Sequence, residues 1–146
     1  MTSVQTKARF SEQSITCGGI SWEQFTKIHE AFDGIGGLRL IYCEGVLEIV
    51  PISKTHELIC YLLGLLLGLY FTQKKIRFFP SGAYTQRVEG LAEFQSDLSF
   101  SFGADKDVPD LCIEVVLSSG GMDKLRKYQL RGVPEVWFWQ DNQITV

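Results

Sequence analysis

Asp110-Leu111-Cys112-Ile113-Glu114-Val115-Val116-Leu117 is a short, mostly apolar and partly β-branched run. Val108-Pro109 leads into it, and Ser118-Ser119-Gly120-Gly121 leads out of it. Such a run between turn-forming residues predicts a buried strand. A carboxylate inside a buried strand is costly unless it is paired, hydrogen-bonded or bound to a metal, so Glu114 needs a partner. Side chains alternate along a strand. Asp110, Cys112, Glu114 and Val116 therefore share one face, and Leu111, Ile113, Val115 and Leu117 share a wholly apolar one. The apolar face is expected to meet the core, and the other to carry Glu114 toward something polar.

The rest of the chain bounds what that strand belongs to. Its 146 residues suffice for one domain with a real core. Hydrophobic content of 45% with 21% charged residues is that of a folded protein rather than a disordered one. A net charge of −3 excludes a broadly basic surface, so a nucleic-acid role would rest on a local patch. Cys17, Cys43, Cys60 and Cys112 are scattered without a C-x-x-C pair, which predicts reduced thiols and no zinc site. The first ten residues, MTSVQTKARF, contain no apolar signal core, and the expected location is cytoplasmic. Leu58 to Phe71 is apolar throughout but shorter than the roughly 18–20 residues of a spanning helix. It reads as a buried core helix with no membrane role, and Gly64 and Gly68 would let it lie close on a sheet.

Residues 1–19 read as a flexible lead-in, and residues 20–146 as one domain. Ser21 caps a short amphipathic helix over 21–31 bearing Trp22, Phe25 and Ile28 on one face. Leu38–Ile41 and Val46–Val50 form a hairpin around Cys43-Glu44-Gly45. Thr55 is expected to cap a helix from His56 to about Thr72. Strands follow at 76–79, 83–88 and 94–100, the last a single alternating run carrying Asp97. After the opening strand come a helix over 123–130, ended by Gly132, and a strand Glu135–Trp139. The chain stops within a further strand from Gln143, which suggests C-terminal truncation. This order predicts an α/β (α+β) fold in which a central mixed β-sheet is flanked by helices, with an N-terminal β-hairpin.

Asp97 and Glu114 lie 17 positions apart on strands joined by the turn at 103–107. Antiparallel pairing would point both carboxylates into one cleft. Two adjacent carboxylates repel unless a cation sits between them. A hard divalent ion, Mg²⁺ or Mn²⁺, suits such oxygens, activates water and stabilises phosphoryl charge. Glu57 is a candidate third ligand in the first turn of the long helix, with His56 beside it as a supporting group. Lys124, after the loop that leaves the Glu114 strand, is the candidate cation over the site. The plain alternatives are a solvent-facing Asp97, a Glu114 paired with Arg or Lys, a helix-start Asp123 and a solvated Lys124.

Four ordered blocks carry a resemblance: Ser96–Phe100 (SDLSF), Asp110–Val116 (DLCIEVV), Ser119–Leu125 (SGGMDKL) and Gly132–Trp139 (GVPEVWFW). Together with the hairpin and His56-Glu57, they resemble the Uma-two family of restriction endonucleases in the PD-(D/E)XK nuclease-like superfamily, over about residues 20–146. The resemblance implies a restriction-endonuclease-like core and a divalent-metal-dependent DNA endonuclease. Asp97 would be the first metal-binding Asp, Glu114 the second acid, and Glu57 the acid from the helix. Pro109-Asp110 is a decoy, four residues from Glu114 on one strand. The superfamily's Lys would fall at Val116, which carries no charge, so Lys124 would have to replace it. The alternative is a catalytically impaired nuclease-like fold that acts as a nucleic-acid-binding or protein-interaction module. Trp137 and Trp139 suggest a core or homodimer surface. Lys74, Lys75, Arg77 and Arg87, joined by Lys124, Arg126, Lys127 and Arg131, form the candidate basic patch for DNA.

Overall fold

The computed structural model describes residues 13–117 and 124–146, which form three helices and ten strands. Five strands make a first, antiparallel sheet: β1 (Ile15–Cys17), β2 (Leu38–Cys43), β3 (Val46–Pro51), β5 (Thr85–Val88) and β6 (Ala92–Gln95). Their order is β1-β3-β2-β6-β5. The second sheet holds β4 (Phe78–Pro80), β7 (Leu98–Phe102), β8 (Leu111–Val115), β9 (Glu135–Gln140) and β10 (Gln143–Thr145), in the order β10-β9-β8-β7-β4. It is mixed, because β8 pairs antiparallel with β7 and parallel with β9. The α+β class and mixed sheet match expectation. The hairpin, however, is part of the full first sheet rather than an appendage, and residues 15–17 of the expected lead-in pair with β3. The rest of that lead-in, residues 1–12, lies outside the described residues.

The opening stretch is β8, the middle strand of the second sheet, and all five of its residues are buried. Leu111 and Ile113 pack with Phe71 and Phe100. Cys112 and Val116 pack on the opposite side with Phe94, Tyr128, Val136 and Phe138. Both faces are therefore core, not one, and Glu114 sits in the second of them. Its polar surroundings must come from individual side chains.

Helix α1 (Trp22–Ala31) starts at a reciprocal cap. Ser21 Oγ accepts from the Gln24 N–H at 3.1 Å, and the Gln24 amide oxygen accepts from the Ser21 N–H at 2.9 Å. Phe25 is fully buried and stacks on Tyr42 at 4.8 Å, which fixes α1 on the first sheet. Helix α2 (Lys54–Gln73) is capped by Ser53, not Thr55. Ser53 has the extended backbone a cap needs, and it accepts from the His56 N–H at 3.2 Å. Helix α3 (Leu125–Arg131) begins two residues later than expected and ends at Gly132, whose φ of 80° is the left-handed cap conformation. Asp123 lies outside the described residues.

The fully buried core helix expected at 58–71 is not found. Only His56, Cys60 and Phe71 of α2 are buried, and its outer face is bare. The inner face does lie close on the second sheet. A Cβ at Gly64 would meet Leu98 at 3.4 Å, and one at Gly68 would meet Phe78 at 3.8 Å. The helix is apolar all round, but the sheet covers one side of it.

The single strand expected over 94–100 is broken. The chain leaves the first sheet after Gln95 and enters the second at Leu98, so Ser96 and Asp97 form the joint. Backbone pairing stops there, and the exposed donor must be satisfied some other way. Asp97 Oδ2 accepts from the Val115 N–H at 2.7 Å. This joint positions the site.

Candidate active site

The β7–β8 ladder aligns Leu98 with Ile113 and Ser99 with Cys112, so the next step of the register sets Asp97 opposite Glu114. The two carboxylates, Gln95, Arg39, His56, Val115 and Lys124 line one cavity of about 30 Å³. A cavity of that size holds a small ion or a water or two. Asp97, Lys124 and Glu114 thus line the same cavity. Val116 is in the core with no charge to offer.

Asp97 is 8% exposed and heavily supported. Its Oδ1 lies 2.6 Å from Arg39 Nη1, and its Oδ2 lies 3.1 Å from His56 Nε2. Burial alone would raise its pKa. The hydrogen bond and charge of His56, the Val115 N–H and the Arg39 charge outweigh burial and hold it below the usual carboxylate range. Arg39 was not foreseen, although its signal was present. It stands in the apolar run Leu38–Tyr42, and the reasoning that singled out Glu114 applies equally to it.

Burial opposes a charge on His56, but the hydrogen bonds to Asp97 and Cys60 and the Asp97 charge prevail, and its pKa is pushed up to about 11. Its ring nitrogens therefore both donate, Nε2–H toward Asp97 and Nδ1–H toward Cys60 Sγ at 3.6 Å and Glu57 Oε1 at 3.3 Å. The sign of the pH dependence follows. A pKa raised from 6.5 stabilises the fold fully below pH 6.5 and progressively less as pH rises toward 11. Wild-type stability in chemical denaturation is expected to fall by on the order of 2–4 kcal/mol between about pH 7 and pH 10 through this group. His56→Gln is expected to flatten that limb. An unchanged slope in the variant would show that His56 does not titrate there.

Glu57 takes a different position. Its side chain is half exposed, and its Oε1 contacts Arg39 Nη2 at 3.5 Å as well as His56. It faces a second, apolar cavity along α2 rather than the one holding Asp97. Arg39 and His56 bridge the two carboxylates.

Glu114 is 4% exposed and Lys127 3%. Lys127 Nζ lies 2.8 Å from Glu114 Oε1, and the Tyr128 hydroxyl donates to the same oxygen. Burial and the Glu114 charge keep the Tyr128 phenol well above its ordinary pKa, so it remains a donor. The pairing expected as the plain alternative for Glu114 is thus present, from Lys127. Lys124 stands at the start of α3, facing the shared cavity, and makes no side-chain cap bond.

Several residues of the candidate basic patch are already paired or buried. Arg126 pairs with Glu44 at 2.9 Å, Arg131 with Asp107 at 2.8 Å, and Arg87 with buried Glu93 at 2.6 Å. Lys127 is buried. Asp110 is held by Lys106 and by the Phe102 N–H, which closes the β7–β8 turn and fits its reading as a decoy.

The donor set discriminates between metals. Asp97, Glu114 and Gln95 line the small cavity, and the Gln95 Oε1 is buried without a partner. That orphaned oxygen and the two carboxylates fit a hard divalent cation such as Mg²⁺. A second set, His56, Cys60 and Asp97, has its donor atoms within 4.8 Å of one another. It fits a softer ion less well in this state, because His56 is protonated and burial holds the Cys60 thiol above its ordinary pKa.

The mixed sheet thus carries an acid at its broken strand, facing a second acid on the neighbouring strand. The family model described as Uma2, putative restriction endonuclease, matches residues 22–146. The chain belongs to the Uma2 family. No curated protein sequence matches it.

Proposed function

We propose that the protein is a Mg²⁺- or Mn²⁺-dependent DNA endonuclease that hydrolyses phosphodiester bonds, with one catalytic domain over residues 20–146 acting in the cytoplasm. The observation that supports this reading is the convergence of Asp97, Glu114 and Lys124 on one small polar cavity. A bound divalent ion supplies Lewis-acid stabilisation of a phosphoryl oxygen and a more acidic water. Asp97 and Glu114 would hold it, with the Gln95 Oε1 beside them.

The surrounding residues prepare those ligands. Arg39 and His56 keep Asp97 ionised and fixed, and Glu57 acts on the site through them. Lys127 and Tyr128 lock the Glu114 carboxylate from one side. Lys124 lines the cavity, where its ammonium group would offset developing phosphate charge and orient the attacking water. Arg39, protonated His56, Lys124 and Lys127 outnumber Asp97, Glu114 and Glu57, so the site attracts a phosphodiester although the chain as a whole is acidic.

Nicking of supercoiled plasmid in Mg²⁺ or Mn²⁺ is the test. Lys124→Ala is expected to slow cleavage roughly 10²-fold, the scale of removing one transition-state donor. Its Mn²⁺ binding by calorimetry should be retained. Wild-type protein that cleaves no DNA in either metal would end the enzyme reading.

One observation favours a second reading, a nuclease-like fold that binds nucleic acid without cutting it. Both carboxylates already have cationic partners inside the protein, Asp97 with Arg39 and His56, Glu114 with Lys127. Salt-dependent DNA binding that persists in EDTA without cleavage would select it.

A further inference from the structure

The outer face of α2 has no role in the site and is unusual for a folded domain. Leu58, Tyr61, Leu62, Leu65, Leu66, Leu69 and Tyr70 are all 48–72% exposed. Together they present on the order of 800 Å² of largely apolar surface, where a typical monomer's largest patch is about 300–600 Å². One partner of a standard protein interface buries about 800 Å². Beside the stripe runs an apolar cavity of about 380 Å³, lined in part by Tyr61, Gly64, Leu65, Phe78 and Leu98.

We infer that this face of α2 is a homodimer interface, on which the same helix of a second copy packs antiparallel across a two-fold axis. A two-fold interface must complement itself, and this stripe does. Exposed apolar residues fall in steps of four, at 58, then 61 and 62, 65 and 66, and 69 and 70. From 58 to 69 the pattern reads the same in reverse about a point between residues 63 and 64, and Tyr70 falls opposite Glu57. Antiparallel pairing there sets Leu58 against Leu69, Tyr61 against Leu66, and Leu62 against Leu65. No charged residue lies between Leu58 and Tyr70, so two copies meet without like-charge repulsion. The same alignment brings exposed Lys74 of the second copy beside Lys54 and within about one turn of Glu57, so the ends add no net attraction and the apolar stripe carries the pairing.

Lipid is the competing occupant, because α2 is the one described helix long and apolar enough to cross a membrane. Its inner side argues against that occupant. His56 is bonded to Asp97, and Phe71 is packed on Phe78 and Phe100, so spanning would tear the helix from its sheet. The Trp137 alternative is weaker, since that ring packs into the core on an interior strand.

Light scattering after size exclusion tests the inference on the full chain. The expected wild-type mass at micromolar concentration is twice 16.5 kDa. Leu62→Glu combined with Leu69→Glu places charges on exposed positions, so the helical circular dichroism should survive while self-affinity falls at least roughly 100-fold. A wild-type monomer, or a variant that remains dimeric, overturns the inference. So does flotation of the wild type, but not the variant, with anionic phospholipid vesicles as a monomer. Mass is read without reference to cleavage, so this result and that of the nicking assay are independent.

Discussion

Asp97→Asn is expected to lower Mg²⁺-dependent DNA cleavage by roughly 10³-fold or more, the rate equivalent of several kcal/mol of lost metal-assisted stabilisation. The amide keeps the size of the side chain and an oxygen for the Val115 N–H. It loses the charge that Arg39 and His56 neutralise and that a divalent ion needs. Two cations then face one another without their shared anion, so a stability loss of about 3 kcal/mol is also expected, read by denaturant unfolding. Calorimetric Mn²⁺ binding separates the two effects, because a folded variant should show none. Asp110→Asn is the matched control, since Asp110 closes a turn away from the cavity, and its cleavage should equal that of the wild type. Equal cleavage by Asp97→Asn and wild type would remove Asp97 from the mechanism.

Glu114→Ala carries the largest expected effect on stability, about 3–5 kcal/mol. It leaves the Lys127 ammonium, 3% exposed, without its anion, and the Tyr128 hydroxyl without its acceptor. The cost lies mainly in the group left behind. Glu114→Leu with Lys127→Met removes both charges and should recover most of the loss, a coupling that a double-mutant cycle measures. The double variant is nevertheless expected to cleave no DNA, because it lacks one of the two carboxylates proposed to hold the metal. Strict additivity of the two single substitutions would show that the pair is not coupled.

Several elements were legible in the sequence because their causes are local. The Ser21 cap, the turn at Glu44-Gly45 and the Gly132 stop each depend on a few residues and a backbone angle, and each appears where expected. The break at Ser96-Asp97 was not legible. Phe94 to Phe100 alternates as one strand would, and nothing local marks the change of sheet. Ser53 displaced Thr55 as the cap because only tertiary placement shows which hydroxyl precedes the first helical residue. Buried acids were equally ambiguous. Glu93 is 3% exposed and satisfied by Arg87 and His29, away from the cavity, yet it lies in a run much like that around Glu114.

By itself, the sequence determined that this is an α+β chain with a buried acidic strand, a second acid 17 residues before it and no charge at Val116. Period and parity suffice for that, because they depend only on neighbours along the chain. The tertiary structure decided the rest. Asp97 sits at a joint between two sheets, Arg39 and His56 converge on it from β2 and α2, and Lys127 rather than Lys124 pairs with Glu114. It also left the outer face of α2 bare, since a small sheet can cover only one side of a helix that is apolar on both. Ion pairs and uncovered faces depend on which elements meet in space, and residues 58 positions apart, such as Arg39 and Asp97, are joined only by the fold.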